Sequence, residues 1–155
     1  MKSPSQRLVS KITRTARRYL VGPEQDWVFK PPPQDWNPPQ IERTSLYLHV
    51  PFCRHACPYC PYTKVPYRES LVEPYTRAAI AEIDWWSSAI GPAEITSIYI
   101  GGGTPTLALE SVARVLERVR ERFRLKGDIC IETNPADVDD ETVRRLHEMD
   151  VASFH

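Results

Sequence analysis

Residues 95–106 read Ile-Thr-Ser-Ile-Tyr-Ile-Gly-Gly-Gly-Thr-Pro-Thr, an apolar strand that three glycines cut off abruptly. Behind it, Val112, Val115, Leu116, Val119 and Phe123 recur at helical spacing, with an Arg/Glu-laced outer face and an end near Gly127. Ahead of it, Tyr75, Ala79, Ile83, Trp86 and Ile90 mark another helix, with Pro74 expected in its first turn and Gly91-Pro92 after its end. Farther out, Ser45–Val50 alternates as a strand, and Ile129–Glu132 is a third, cut by Asn134-Pro135. A last helix follows Asp139, expected to bury Val143 and Leu146, and leads into a fourth strand over Val151–His155. The order is β-α-β-α-β-α-β. Helical spacers are too long for hairpins, so the strands must run parallel with right-handed crossovers, in a doubly wound sheet or a β/α barrel.

Alternation also sorts the side chains. Leu46/Leu48/Val50, Ile98/Ile100 and Ile129/Ile131 form aliphatic faces that suit covering helices. In a β/α barrel the opposite faces line the lumen, which here receives Tyr47, His49, Tyr99, Cys130 and Glu132. Each strand ends in an unusual loop: a cysteine run, the glycine run, then Thr133-Asn134-Pro135. Chemistry gathers where such loops share the C-terminal rim.

The chain has 155 residues, the size of one domain, and its 20 basic and 20 acidic side chains cancel. No net field draws it to nucleic acid or to an anionic membrane, and no apolar run approaches the roughly 20 residues of a membrane span. The first 21 residues carry six basic side chains and no acid. Residues 1–21 therefore read as a basic amphipathic helix, either resting on the domain or serving as a mitochondrial transit peptide. Residues 22–42 form a Pro-rich linker, and its Trp27, Phe29 and Trp36 are expected to hold it against the domain of residues 43–155. The compartment expected is cytoplasmic, or mitochondrial if the N-terminus is such a peptide.

Cys53, Cys57 and Cys60 stand in a C-x3-C-x2-C run directly after the first strand. Thiolates crowded into one loop make a poor disulfide framework and a good polynuclear metal site; three of them leave one iron of a 4Fe–4S cubane without a protein ligand. A zinc site completed by His55, or free thiols, are the alternatives. Gly101-Gly102-Gly103 lets backbone approach a ligand closely, although glycine runs also simply end strands. Glu132 is a carboxylate facing inward, costly unless paired or bound to a ligand. Cys130 reads as a core cysteine rather than a fourth ligand.

These residues, as Tyr47-Leu48-His49-Val50-Pro51-Phe52-Cys53, Ile98–Thr106 and Ile131-Glu132-Thr133-Asn134-Pro135, resemble the radical S-adenosylmethionine (SAM) superfamily. The likeness is greatest to its oxygen-independent coproporphyrinogen III oxidase-like branch, which includes the bacterial haem chaperones. The resemblance covers residues 43–155 and implies the N-terminal part, about four βα units, of a parallel partial β/α (TIM-like) barrel. It implies a 4Fe–4S cluster on Cys53, Cys57 and Cys60. S-adenosyl-L-methionine would be held by Tyr47, Tyr59, Gly102, Gly103, Thr104 and Glu132, and cleaved reductively to a 5′-deoxyadenosyl radical. The substrate would be a small molecule such as a tetrapyrrole or haem, and the electron donor a flavodoxin or ferredoxin.

Two departures stand out. The oxidases carry a further cysteine two residues after the run, where this chain has Tyr62; the chaperone-like proteins carry Asp-Phe where it has Pro61-Tyr62. The alternatives to an oxidase-like activity are a haem-binding chaperone, with His49, His55, His147 and His155 as candidate ligands, and a radical methyltransferase. The family core has six βα units and this chain reaches the fourth strand, so it is expected to be a fragment or a truncated reading frame, incomplete at the C-terminus.

Overall fold

A computed structural model describes residues 38–155 apart from Ala56, Pro58, Tyr59 and Pro61. The expected N-terminal helix, the Pro-rich stretch as far as Asn37, and Tyr59 lie outside the described residues.

The strand read over residues 95–100 forms and runs on through Gly101 and Gly102 before it stops. It begins one residue earlier, as β4 (Glu94–Gly102), and lies at the centre of the sheet. In chain order the other elements are β1 (Arg43–Val50), β2 (Phe52–Cys53), β3 (Val65–Pro66) and α1 (Glu69–Ile90) before it. After it come η1 (Pro105–Ala108), α2 (Leu109–Arg122), β5 (Arg124–Leu125), β6 (Ile129–Ile131), η2 (Pro135–Asp137), α3 (Asp140–Glu148) and β7 (Val151–Phe154). The main sheet runs β1-β4-β6-β7, with β5 alongside the start of β4, and every pair is parallel.

Register explains the layering. Leu46, Leu48 and Val50 stand beside Ile98, Ile100 and Gly102; Ile98 and Ile100 stand beside Ile129 and Ile131. That aliphatic face is buried under Ile83 and Ile90 of α1, Val112, Val115, Leu116 and Val119 of α2, and Leu146 of α3. Burying each such side chain contributes about 2 kcal/mol. The opposite face carries Tyr47, Tyr99, Cys130 and Ser153 in one row, Tyr47 and Tyr99 both exposed. A doubly wound sheet has helices, and so aliphatic side chains, on both faces and reverses its strand order at a switch point. This sheet has one aliphatic face and strands laid down in sequence order. It is the wall of a partial β/α barrel, with the polar face inward.

Five readings change. Helix α2 ends at Arg122 rather than near Gly127, because the chain turns there into β5. Helix α1 starts at Glu69, so Pro74 lies inside it rather than in its first turn. Pro74 has no N–H for the Ser70 carbonyl, and the burial of Thr76, Ile83 and Ile90 along the same helix outweighs that loss. Val143 is 44% exposed, because α3 lies over the edge strand β7 and only Leu146, with Met149 just past the helix end, reaches the core. Cys130 is half-buried on the polar face rather than in the core, and the Ser153 hydroxyl donates to its sulfur at 3.1 Å. The short pair β2–β3 was not expected, since two-residue strands show no periodicity. Other local signals hold: the Asp139 side chain caps α3 by accepting from the Thr142 amide at 2.8 Å.

Candidate cluster and cofactor site

The cysteine loop is anchored at its base. β2 and β3 pair in parallel; the Val65 amide donates to the Pro51 carbonyl at 2.8 Å and the Tyr67 amide to the Cys53 carbonyl at 2.9 Å. Phe52 is buried edge-on against Tyr75 and Tyr67, with ring centroids 5.3 and 6.1 Å away. Within the loop the Cys60 amide donates to the Cys57 carbonyl at 3.2 Å, and the Lys64 ammonium donates to the carbonyls of Cys57 and Cys60. The Arg54 guanidinium donates to Asp137 at 3.3 Å, tying this loop to the one after β6.

The glycine run turns inward on that base. The Gly103 amide donates to the Val50 carbonyl at 2.8 Å and the Thr104 amide to the Phe52 carbonyl at 2.7 Å. A Cβ on Gly103 would lie 2.4 Å from the Phe52 oxygen, so only glycine fits there. Gly102 has φ +122°, a conformation that side chains disfavour, and its amide donates to a Glu132 carboxylate oxygen at 3.0 Å. All three amides are therefore spent within the protein. Among the described residues the Gly103 carbonyl accepts no hydrogen bond, so what the run offers a ligand is an acceptor.

Glu132 follows β6, its amide donating to the Ile100 carbonyl at 2.8 Å. Its second carboxylate oxygen accepts from the Tyr99 hydroxyl at 3.1 Å. That bond holds the Tyr99 phenol above its ordinary pKa. Tyr47 stacks on Tyr99 at 6.2 Å, and burial, then the Glu132 charge, raises its pKa too. The Tyr47 hydroxyl lies 3.1 Å from His49 Nδ1, while His49 Nε2 lies 2.9 Å from the Thr63 carbonyl. A carbonyl only accepts, so Nε2 carries the proton and Nδ1 accepts from Tyr47.

Of the residues read from sequence, Tyr47, Gly102, Gly103, Thr104 and Glu132 are joined on one rim, with the loop of Cys53, Cys57 and Cys60 tied to it through Phe52. Tyr59 is not described. All four cysteines are free; Cys53 and Cys60 are half-buried and Cys57 is exposed. The Tyr62 amide, then the Lys64 ammonium, holds the Cys60 thiol below its usual pKa. Three accessible soft donors, one biased to thiolate, fit a polynuclear iron–sulfur centre. Among the described residues no three His, Cys, Asp or Glu side chains converge where a single ion would sit, His55 included.

Sequence reading missed the ties made by His49 and Lys64. His49 was legible as inward-facing; nothing in the sequence distinguishes Lys64 from a surface lysine. A groove of about 600 Å³ lies along the edge of β1 beside Ile41, Leu46, Ala79 and Trp86, and of the expected ligands only Tyr47 and His49 touch it.

Comparison with known proteins adds to this geometry. Residues 47–155 match the family described as the Radical SAM superfamily. The heme chaperone HemW of Lactococcus lactis is 33% identical over 105 residues, which are 66% of this chain and 27% of that protein. The oxygen-independent coproporphyrinogen III oxidase of Bradyrhizobium diazoefficiens is 38% identical over 96 residues, 59% of this chain and 21% of that protein. The solved coproporphyrinogen III oxidase HemN of Escherichia coli, a radical SAM enzyme, superposes with a TM-score of 0.67 at 26% identity, covering 74% of this chain and 27% of that one. The chain thus spans between a fifth and three tenths of the length of the curated relatives it matches.

Proposed function

The chain belongs to the radical SAM superfamily, with coproporphyrinogen oxidase-like and haem-related homologues, and from that premise we propose that it holds a 4Fe–4S cluster on Cys53, Cys57 and Cys60 and binds S-adenosylmethionine beside it. When bound, the pair supplies a 5′-deoxyadenosyl radical, formed by reductive cleavage of S-adenosylmethionine with an electron from a flavodoxin- or ferredoxin-like donor, for hydrogen abstraction from a tetrapyrrole-like substrate. The observation that carries this is the lock between the two loops: the Gly102, Gly103 and Thr104 amides fasten the rim to Glu132, Val50 and Phe52.

What the chain's own residues contribute follows from that lock. The Gly103 carbonyl is an acceptor suited to an ammonium group. Glu132, already fixed by two donors, adds a negative charge whose orientation costs nothing on binding. Tyr47, held by His49 and stacked on Tyr99, offers an aromatic face. Gly102 and Thr104 complete the set by fixing the backbone between them. Anaerobic iron–sulfide reconstitution, then an assay for 5′-deoxyadenosine with dithionite as reductant, tests the reading. A formed cluster without deoxyadenosine would leave the catalytic part without support.

The haem-chaperone names among the relatives favour one second reading, haem binding with little catalysis. His49 is a poor axial ligand, since both its ring nitrogens are engaged. His55, His147 and His155 are exposed. Haem titration of His55→Ala, His147→Ala and His155→Ala forms, followed by the Soret band, separates the two readings. Among the described residues no helix is long and apolar enough to cross a membrane.

A further inference from the structure

Lys64 stands on the return limb of the cysteine loop, directly before β3. Its ammonium donates to the Cys57 carbonyl at 2.9 Å and to the Cys60 carbonyl at 3.0 Å. The Cys60 amide closes on the same Cys57 carbonyl at 3.2 Å. One cation thus bridges the backbone of the two residues that carry the last two thiols. A lysine on a protein surface usually extends its ammonium into water or toward a carboxylate. Lys64 is half-buried, and no carboxylate among the described residues pairs with it. Its charge is held against two residues that would each carry an anionic thiolate.

We propose that Lys64 is a positioning residue for the iron–sulfur centre: it holds Cys57 and Cys60 in place before metal arrives, and its charge then raises the reduction potential of the bound cluster. The inference rests on the radical SAM reading above. Reduction adds one electron, here from dithionite, and leaves the centre one charge more negative. A fixed cation stabilises that reduced state more than the oxidised one.

Lys64→Met keeps the length of the side chain and removes its charge and donors, whereas Lys64→Arg keeps both charge and donors. Three readouts apply to chains whose fold is checked by far-ultraviolet circular dichroism: hydrogen exchange of the Cys60 amide without metal, iron lost to a chelator after anaerobic reconstitution, and the midpoint potential from a dithionite titration followed by electron paramagnetic resonance. In Lys64→Met the amide should exchange several-fold faster, iron should leave faster, and the midpoint should move to a more negative potential. Lys64→Arg should stay near the native chain in all three. If Lys64→Met does not fold, Lys64→Gln, which keeps a donor without the charge, replaces it with the same expected shift in potential. Equal midpoints and equal iron loss in native and uncharged chains, with a cluster in both, overturn this inference and leave the radical SAM reading standing. A native chain that takes up no cluster overturns both.

Discussion

The Glu132 carboxylate reaches the Gly102 amide at 3.0 Å across 30 positions of sequence, and so locks the end of one strand to the loop after its neighbour. The same carboxylate accepts from Tyr99, which makes it the hinge pin of the rim. Glu132→Gln keeps an oxygen for Gly102 and a donor for Tyr99 while removing the charge, so it should change stability by no more than about 1 kcal/mol. Without the carboxylate, the Tyr99 phenol should ionise at lower pH than in the native chain. Alkaline titration of the phenolate absorbance checks this, with Tyr99→Phe to assign the step. Equilibrium dialysis should show weaker binding of S-adenosylmethionine by the reconstituted Glu132→Gln chain.

A second phenol reports on the base of the cysteine loop. The Tyr75 hydroxyl donates to the His49 carbonyl at 2.9 Å, and burial pushes its pKa up from 10.0 to about 12. The folded state therefore holds this proton more tightly than the unfolded state. Its contribution to stability is complete below pH 10 and is lost as the pH rises toward 12. Tyr75→Phe should lose the hydrogen bond, about 1 kcal/mol, and flatten that part of the stability curve. Urea melts of both chains across the alkaline range measure it.

Between α1 and α2 the hydroxyls of Thr76 and Ser111 lie 2.7 Å apart, both fully or nearly buried. Thr76→Val leaves the Ser111 hydroxyl without its partner and should cost about 1–3 kcal/mol, whereas in Ser111→Ala the Thr76 hydroxyl still donates to the Val72 carbonyl at 2.8 Å and the cost should be smaller. The double variant should cost less than the sum of the two, because no hydroxyl then remains unsatisfied. Thermal and urea unfolding of the cycle decide.

Gly103→Ala sets a methyl group 2.4 Å from the Phe52 oxygen, so the backbone must move. We expect a cost of about 1–3 kcal/mol, with cysteine-loop amides exchanging faster than in the native chain. Native-like melting and exchange would show that the two loops are not held together here.

The layers of the fold were legible because burial follows local periodicity. Ile98, Ile100, Ile129 and Ile131 sit under the helices, and Tyr47 and Tyr99 sit opposite, as the alternation of residues required. The Asp139 cap was legible for the same local reason. What escaped the reading depends on contacts distant in sequence. The tightness of Gly103 answers to Phe52, and the exposure of Val143 depends on where α3 overhangs the sheet. No local pattern shows that Lys64 folds back on two carbonyls, or that a two-residue strand forms at Val65–Pro66.

The central claim is that Cys53, Cys57 and Cys60 hold a cubane cluster with one iron open to S-adenosylmethionine. The most direct measurement is the iron and sulfide content of the anaerobically reconstituted chain, with its electron paramagnetic resonance spectrum after reduction, before and after adding S-adenosylmethionine. The account predicts one cubane's complement per chain, and a spectrum that changes on addition, because the open iron gains a ligand. It predicts no such centre in Cys53→Ala, Cys57→Ala or Cys60→Ala, and an intact one in Cys130→Ala, whose sulfur is bonded to Ser153 on the sheet face. A centre that persists in any of the three loop variants, disappears in Cys130→Ala, or is indifferent to S-adenosylmethionine would contradict it.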